Sequence, residues 1–116
     1  MSEFTIYHNP NCTKSRASLA MLNDHALSPL VIEYLKTPPT AAELKAILGK
    51  LGIKAEQLVR KNEAIYEQKY AGKALSDAQW IQAMVDDPIL IERPIVVRGD
   101  RAVIGRPPEN LLALLG

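Results

Sequence analysis

What most limits how this chain can fold is a double switch in its first third, from a β-forming run to an unbroken helical one and back to β. The run from Glu3 to Tyr7, centred on Thr5-Ile6-Tyr7, is short and β-rich, and it stops at His8-Asn9-Pro10-Asn11, a cluster of turn and cap formers. From Thr13 to Asn23 the apolar Ala17, Leu19, Ala20, Met21 and Leu22 mix with polar residues, and neither Gly nor Pro intervenes. That predicts a helix. Leu30-Val31-Ile32-Glu33-Tyr34 predicts a second strand, and strand, helix, strand in this order closes as a right-handed parallel unit. The chain therefore starts as an α/β fold, with Cys12 at or next to the first turn of its first helix.

The middle of the chain reads differently. Thr40-Ala41-Ala42-Glu43 and Ser76-Asp77-Ala78-Gln79 are capping boxes, each followed by apolar residues at helical spacing. Pro38-Pro39 and Gly49 or Gly52 bracket the first of these helices, Pro88 limits the second, and Ala55 to Tyr70 has further helical character. A largely helical insertion over about residues 40–86 is thus expected. After Pro94, Ile95-Val96-Val97 and Ala102-Val103-Ile104 flank Arg98-Gly99-Asp100, a hairpin signal in which that tripeptide is a turn rather than a cell-adhesion motif. A last short helix begins near Pro108 and carries Leu111, Leu112, Leu114 and Leu115. The order matches a thioredoxin-like core, with a small mixed sheet of about four strands and a helical insertion. The 116 residues are expected to form a single domain.

Composition matters mainly for what it excludes. A formal net charge of +1 argues against a broad nucleic-acid surface, and no segment approaches the roughly 18 consecutive apolar residues of a membrane span. The N-terminal Met1-Ser2-Glu3-Phe4 has no basic stretch leading into an apolar run, so no export signal is expected. The chain has one cysteine, which cannot close an internal disulfide, and a reducing cytoplasm is the natural location.

That cysteine is the candidate nucleophile. A core cysteine would have apolar neighbours, whereas Cys12 lies among Asn9, Pro10, Asn11, Thr13, Lys14 and Ser15. Because the thiolate is the attacking form, its pKa must be lowered, and three contributors are at hand: helix N-terminal N–H groups, His8, and the cations Lys14 and Arg16. Ser15, one turn on, would add a hydroxyl donor. One Cys and two His do not supply a zinc spacing, so no metal is expected. A phosphatase-type loop needs an arginine where the chain has Ser18.

His8-Asn9-Pro10-Asn11-Cys12-Thr13-Lys14-Ser15-Arg16, with Leu58-Val59-Arg60, Glu92-Arg93-Pro94-Ile95-Val96 and Gly105-Arg106-Pro107-Pro108-Glu109, resembles the glutaredoxin-coupled, glutathione-dependent arsenate reductases of bacteria along essentially the whole chain. The resemblance implies a thioredoxin-like fold with a helical insertion. It also implies reduction of arsenate to arsenite, with Cys12 as nucleophile served by His8, Ser15 and Arg16, and with Arg60, Arg93 and Arg106 holding the oxyanion. No bound cofactor is implied; glutathione is the co-substrate and glutaredoxin the protein partner. Several guanidinium groups in a concave site would offset the repulsion between an oxyanion and a thiolate. Arg93 and Arg106 each precede a proline, where the chain is stiff, whereas Arg60 has no such local support. Pro94 could be a cis-proline facing the thiol, although trans is the commoner bond. Two alternatives use the same scaffold: a glutathione-dependent thiol-disulfide enzyme, which needs no arginine cluster, and a non-enzymatic adaptor, which needs no turnover.

Overall fold

A computed structural model describes residues 4–25 and 27–115, which divide into two compact units, Met1–Thr37 with Arg93–Gly116 and Pro38–Glu92. Glu3, the expected start of the first strand, lies outside the described residues.

The first unit is built on the expected β-α-β opening. Strand β1 is Phe4–Tyr7, helix α1 is Thr13–Asp24 and strand β2 is Leu30–Ile32. β2 ends earlier than its sequence suggested. Glu33 and Tyr34 leave the strand because the Glu33 carbonyl accepts the N–H groups of Lys36 at 2.9 Å and Thr37 at 3.0 Å, closing a turn. β1 pairs with β2 in parallel, Ile6 opposite Val31, and on its other edge with β3 (Ile95–Arg98) antiparallel, Ile6 opposite Val96. β3 turns back into β4 (Arg101–Ile104), so the four-stranded sheet runs β2-β1-β3-β4. Gly99 takes the left-handed φ of 61° that the two-residue hairpin loop demands. The closing helical segment, Pro108–Leu114, is wound as a 3-10 helix. Alternation along β1 sends Phe4 and Ile6 to one face, where they pack with Leu22 of α1, Val96 of β3, and Leu111 and Leu114 of the 3-10 segment. Burying each such side chain contributes about 1.5–3 kcal/mol, which fastens α1 and the C-terminal segment to the same side of the sheet. This mixed sheet with its flanking helix is a thioredoxin-like α/β fold.

The second unit is helical and contains the segment expected as the insertion. Helix α2 (Ala41–Leu51) starts at the Thr40 capping box, passes through Gly49 and stops at Gly52. A 3-10 turn, Ala55–Leu58, precedes the short helix α3 (Ala64–Lys69). Helix α4 (Asp77–Asp86) starts at the Ser76 capping box, and Pro88–Leu90 forms a 3-10 turn just beyond it. Trp80 on α4 is buried, stacks on Tyr66 and meets Tyr70 at a tilt, so one large side chain organises α3 and α4. No helix among the described residues is long and apolar enough to cross a membrane.

Candidate active site

β1 delivers the chain to the site. His8 continues the β1–β2 pairing by donating its N–H to the Ile32 carbonyl at 2.8 Å, and its ring turns inward, where it is buried. Its Nδ1 lies 2.6 Å from the Ser15 hydroxyl on α1, and that hydroxyl also accepts the Asn9 N–H at 3.0 Å. The turn between strand and helix closes when the Cys12 N–H donates to the Asn9 carbonyl at 3.0 Å. Cys12 is then the N-cap residue of α1, in an extended conformation, and only 8% of its surface is exposed.

An N-cap side chain faces the unpaired N–H groups of the first turn, the place where a helix favours negative charge. Burial pushes the Cys12 thiol up, yet its pKa is lowered overall. The causes that lower it are the Ser15 backbone N–H, a hydrogen bond from Arg93, the Lys14 backbone N–H, and the Arg93 charge. Two expectations are thereby revised. Ser15 acts on the sulfur through its amide, because its hydroxyl is engaged by His8 and Asn9. Lys14 acts through its amide as well, while its side chain points into solvent.

His8, the other contributor read from the sequence, hydrogen-bonds to Ser15 rather than to the sulfur. Burial lowers its pKa, and Arg16 lowers it further against the opposing pull of Glu33, so the imidazole is kept neutral near pH 7. Its contact is with Ser15, which places it behind the nucleophile. Arg16 is exposed on the outer side of the first turn, with its N–H donated to the Cys12 carbonyl at 3.0 Å.

The arginines come from the far end of the chain. Arg106 donates from Nη2 to Cys12 Sγ at 3.4 Å and from Nε to the Arg93 carbonyl at 2.7 Å. One guanidinium thus ties together the thiol and the segment that carries the other arginine. The Arg93–Pro94 and Arg106–Pro107 peptide bonds are both cis. Neighbouring hydrogen bonds hold these segments in place: Gly105 N–H to the Pro94 carbonyl at 2.9 Å, and Asn110 Nδ2 to the carbonyls of Ile104 and Arg106 at 3.0 and 3.1 Å. Gly105 must lack a side chain. A Cβ there would sit 2.5 Å from Ser18 Oγ and 2.8 Å from Pro94 Cγ, both closer than van der Waals contact allows. Sequence reasoning missed Gly105, Ser18 and Asn110 because their contacts join residues whose proximity only the folded sheet creates.

Arg60 belongs to the second unit. Its Nη1 donates to Glu92 at 2.7 Å, its Nε lies 3.5 Å from Glu63, and its side chain is 11% exposed. Main-chain bonds frame the pair, with Arg60 N–H to Leu90 carbonyl at 2.7 Å and Glu92 N–H to Leu58 carbonyl at 2.8 Å.

A buried thiol whose pKa is lowered, with guanidinium donors beside the sulfur, can as its thiolate attack an electrophile whose own negative charge the arginines neutralise. Comparison with known proteins points the same way. The family model for ArsC matches residues 7–114. The chain is 48% identical over 113 residues to YfgD, an uncharacterised protein of Escherichia coli strain K12, covering 96% of this chain and 95% of that one. It is 40% identical over 117 residues to an arsenate reductase of Neisseria meningitidis, covering 99% of this chain and all of the other. An arsenate reductase from Vibrio cholerae superposes with a TM-score of 0.92 at 44% identity, with 95% of each chain covered.

Proposed function

Since the chain belongs to the ArsC family, we propose that it reduces arsenate to arsenite with Cys12 as the nucleophile. The observation that carries this reading is the Arg106 guanidinium 3.4 Å from Cys12 Sγ, beside an Arg93 that already favours the thiolate. A neutral electrophile would need neither arginine, whereas a tetrahedral oxyanion needs its charge offset before a thiolate can approach.

The thiolate attacks arsenic(V), an S–As bond forms, and an As–O bond breaks, its oxygen leaving as water after protonation. Arg93 and Arg106 hold the remaining oxygens. Reduction to arsenic(III) takes two electrons, which two thiols supply as they join in a disulfide. The sequence holds one cysteine, so the electrons come from outside, with glutathione as the small thiol and glutaredoxin as the protein that resolves its mixed disulfide with Cys12. Exposed Lys14 and Arg16 on the first turn of α1 suit a small anionic thiol such as glutathione.

The test is an arsenate-reduction assay with and without each thiol component, combined with intact mass. Arsenite should form only with glutathione present, and a glutathione adduct on Cys12 should accumulate when glutaredoxin is omitted. Multiple turnovers with no external thiol would overturn the scheme. Glutathione-dependent disulfide reduction without any arsenite would favour the general thiol-disulfide enzyme instead.

A further inference from the structure

Asn9 is 4% exposed although it is polar and lies in the loop between β1 and α1. It takes part in the backbone N–H hydrogen bonds of the loop from residue 9 to Cys12. Its own N–H goes to the Ser15 hydroxyl at 3.0 Å, its Oδ1 accepts the Asn11 N–H at 3.0 Å, and its carbonyl accepts the Cys12 N–H at 3.0 Å. Pro10 has no N–H to place. The N–H groups of residues 9 to 12 are therefore all spent around one asparagine, and those of the first helical turn, Thr13 to Ser15, come next along the chain. We propose that Asn9 is the positioning residue of the nucleophile: its side-chain oxygen holds the turn that sets Cys12 Sγ against the N–H groups of the first turn of α1. An asparagine suits this because its side chain closes a turn on the backbone N–H two residues ahead. A purely apolar side chain would leave the Asn11 N–H, in a part-buried hydrogen bond here, without that acceptor and the turn without its side-chain closure.

The pH dependence of Cys12 alkylation by iodoacetamide tests this, with thermal unfolding recorded for every variant. Asn9→Ala should move the midpoint up and slow alkylation below it by roughly three- to tenfold, the range expected for losing one side chain to backbone hydrogen bond. Asn9→Ser keeps a shorter acceptor and should recover part of the loss. Asn9→Asp keeps the acceptor geometry but adds a negative charge near the thiolate, so its midpoint should also rise, and salt should lower it again. Unchanged midpoints in all three variants would overturn the proposal, as would a lower unfolding temperature without any change in midpoint. If Asn9→Ala does not fold, the serine and aspartate variants decide by the same readout. Arsenate takes no part in the reaction, so this proposal and the arsenate reading can fail separately.

Discussion

Polar contacts differ in kind between the two units. In the helical unit the helix caps act locally, Thr40 accepting from Glu43 N–H at 3.1 Å and Ser76 from Gln79 N–H at 3.2 Å, each across three residues, and the longer contacts, Arg60 to Glu92 and Tyr70 to Asp87, end on carboxylates. In the sheet unit polar contacts act across the fold. His8 reaches Ser15, Ser18 reaches Gly105, and Arg106 reaches Cys12 from 94 positions away. The arginines make the contrast sharpest, since Arg60 is set against two carboxylates while Arg106 spends its donors on a carbonyl and a sulfur. On the function proposed above, the carboxylate-paired Arg60 is expected to serve stability and the thiol-facing Arg106 the reaction, a division between two arginines that mutation can test.

The largest test of that division is Cys12→Ser. Arsenite formation should fall to background while the unfolding temperature stays within a few degrees, because the thiol carries the reaction and little of the core. A serine variant that still turns over would remove the nucleophile from the scheme. Next come the arginines, taken as a pair. Arg106→Ala should cost about 2–4 kcal/mol of transition-state stabilisation toward arsenate, with a much smaller effect on alkylation by a neutral reagent. Lysine at 106 should not restore full activity, since it lacks the paired donors. Arg60→Ala should instead appear in denaturant unfolding as a loss of about 2 kcal/mol, because it leaves the half-buried Glu92 carboxylate without that partner. If Arg60→Ala left stability intact and lowered only arsenate reduction, the division would be drawn in the wrong place, and the oxyanion role that the family resemblance implies for Arg60 would hold.

Smaller effects sharpen the same comparison. Thr40→Ala should cost about 1 kcal/mol in unfolding and leave the Cys12 alkylation profile unmoved, since its cap serves only its own helix. A changed profile would mean that the helical unit sets the thiol's environment. The smallest effect is a pH slope. His8 has a lowered pKa, so between its ordinary value of 6.5 and that lower value the unfolded chain binds a proton that the folded one does not. Stability should therefore be complete above pH 6.5 and fall as the pH drops through this window. His8→Asn should flatten the curve of unfolding temperature against pH, and an unchanged slope would show that the imidazole is not the group responsible.

Much of the fold was legible in the sequence because it is written in local rules. The β-α-β opening follows from composition and from the turn formers between Tyr7 and Cys12, both α2 and α4 begin at the capping boxes read from four residues each, and the hairpin turns at Gly99. The strand end at Ile32 was misplaced because Glu33 and Tyr34 continue a β-forming composition, and only the turn hydrogen bonds to the Glu33 carbonyl take them out of the strand. At the site, the sequence by itself determined that a lone cysteine stands at a strand-to-helix junction, where first-turn N–H groups favour a thiolate. Which groups act on the sulfur was decided by the tertiary structure. Burial lowers the His8 pKa, the Ser15 hydroxyl meets the His8 ring, and the sheet brings Arg93 and Arg106 to a thiol more than eighty residues distant in the chain. The physical reason is that capping and turn preferences depend on neighbours within a few residues, whereas desolvation and long-range charge exist only once strands have paired and a core has closed.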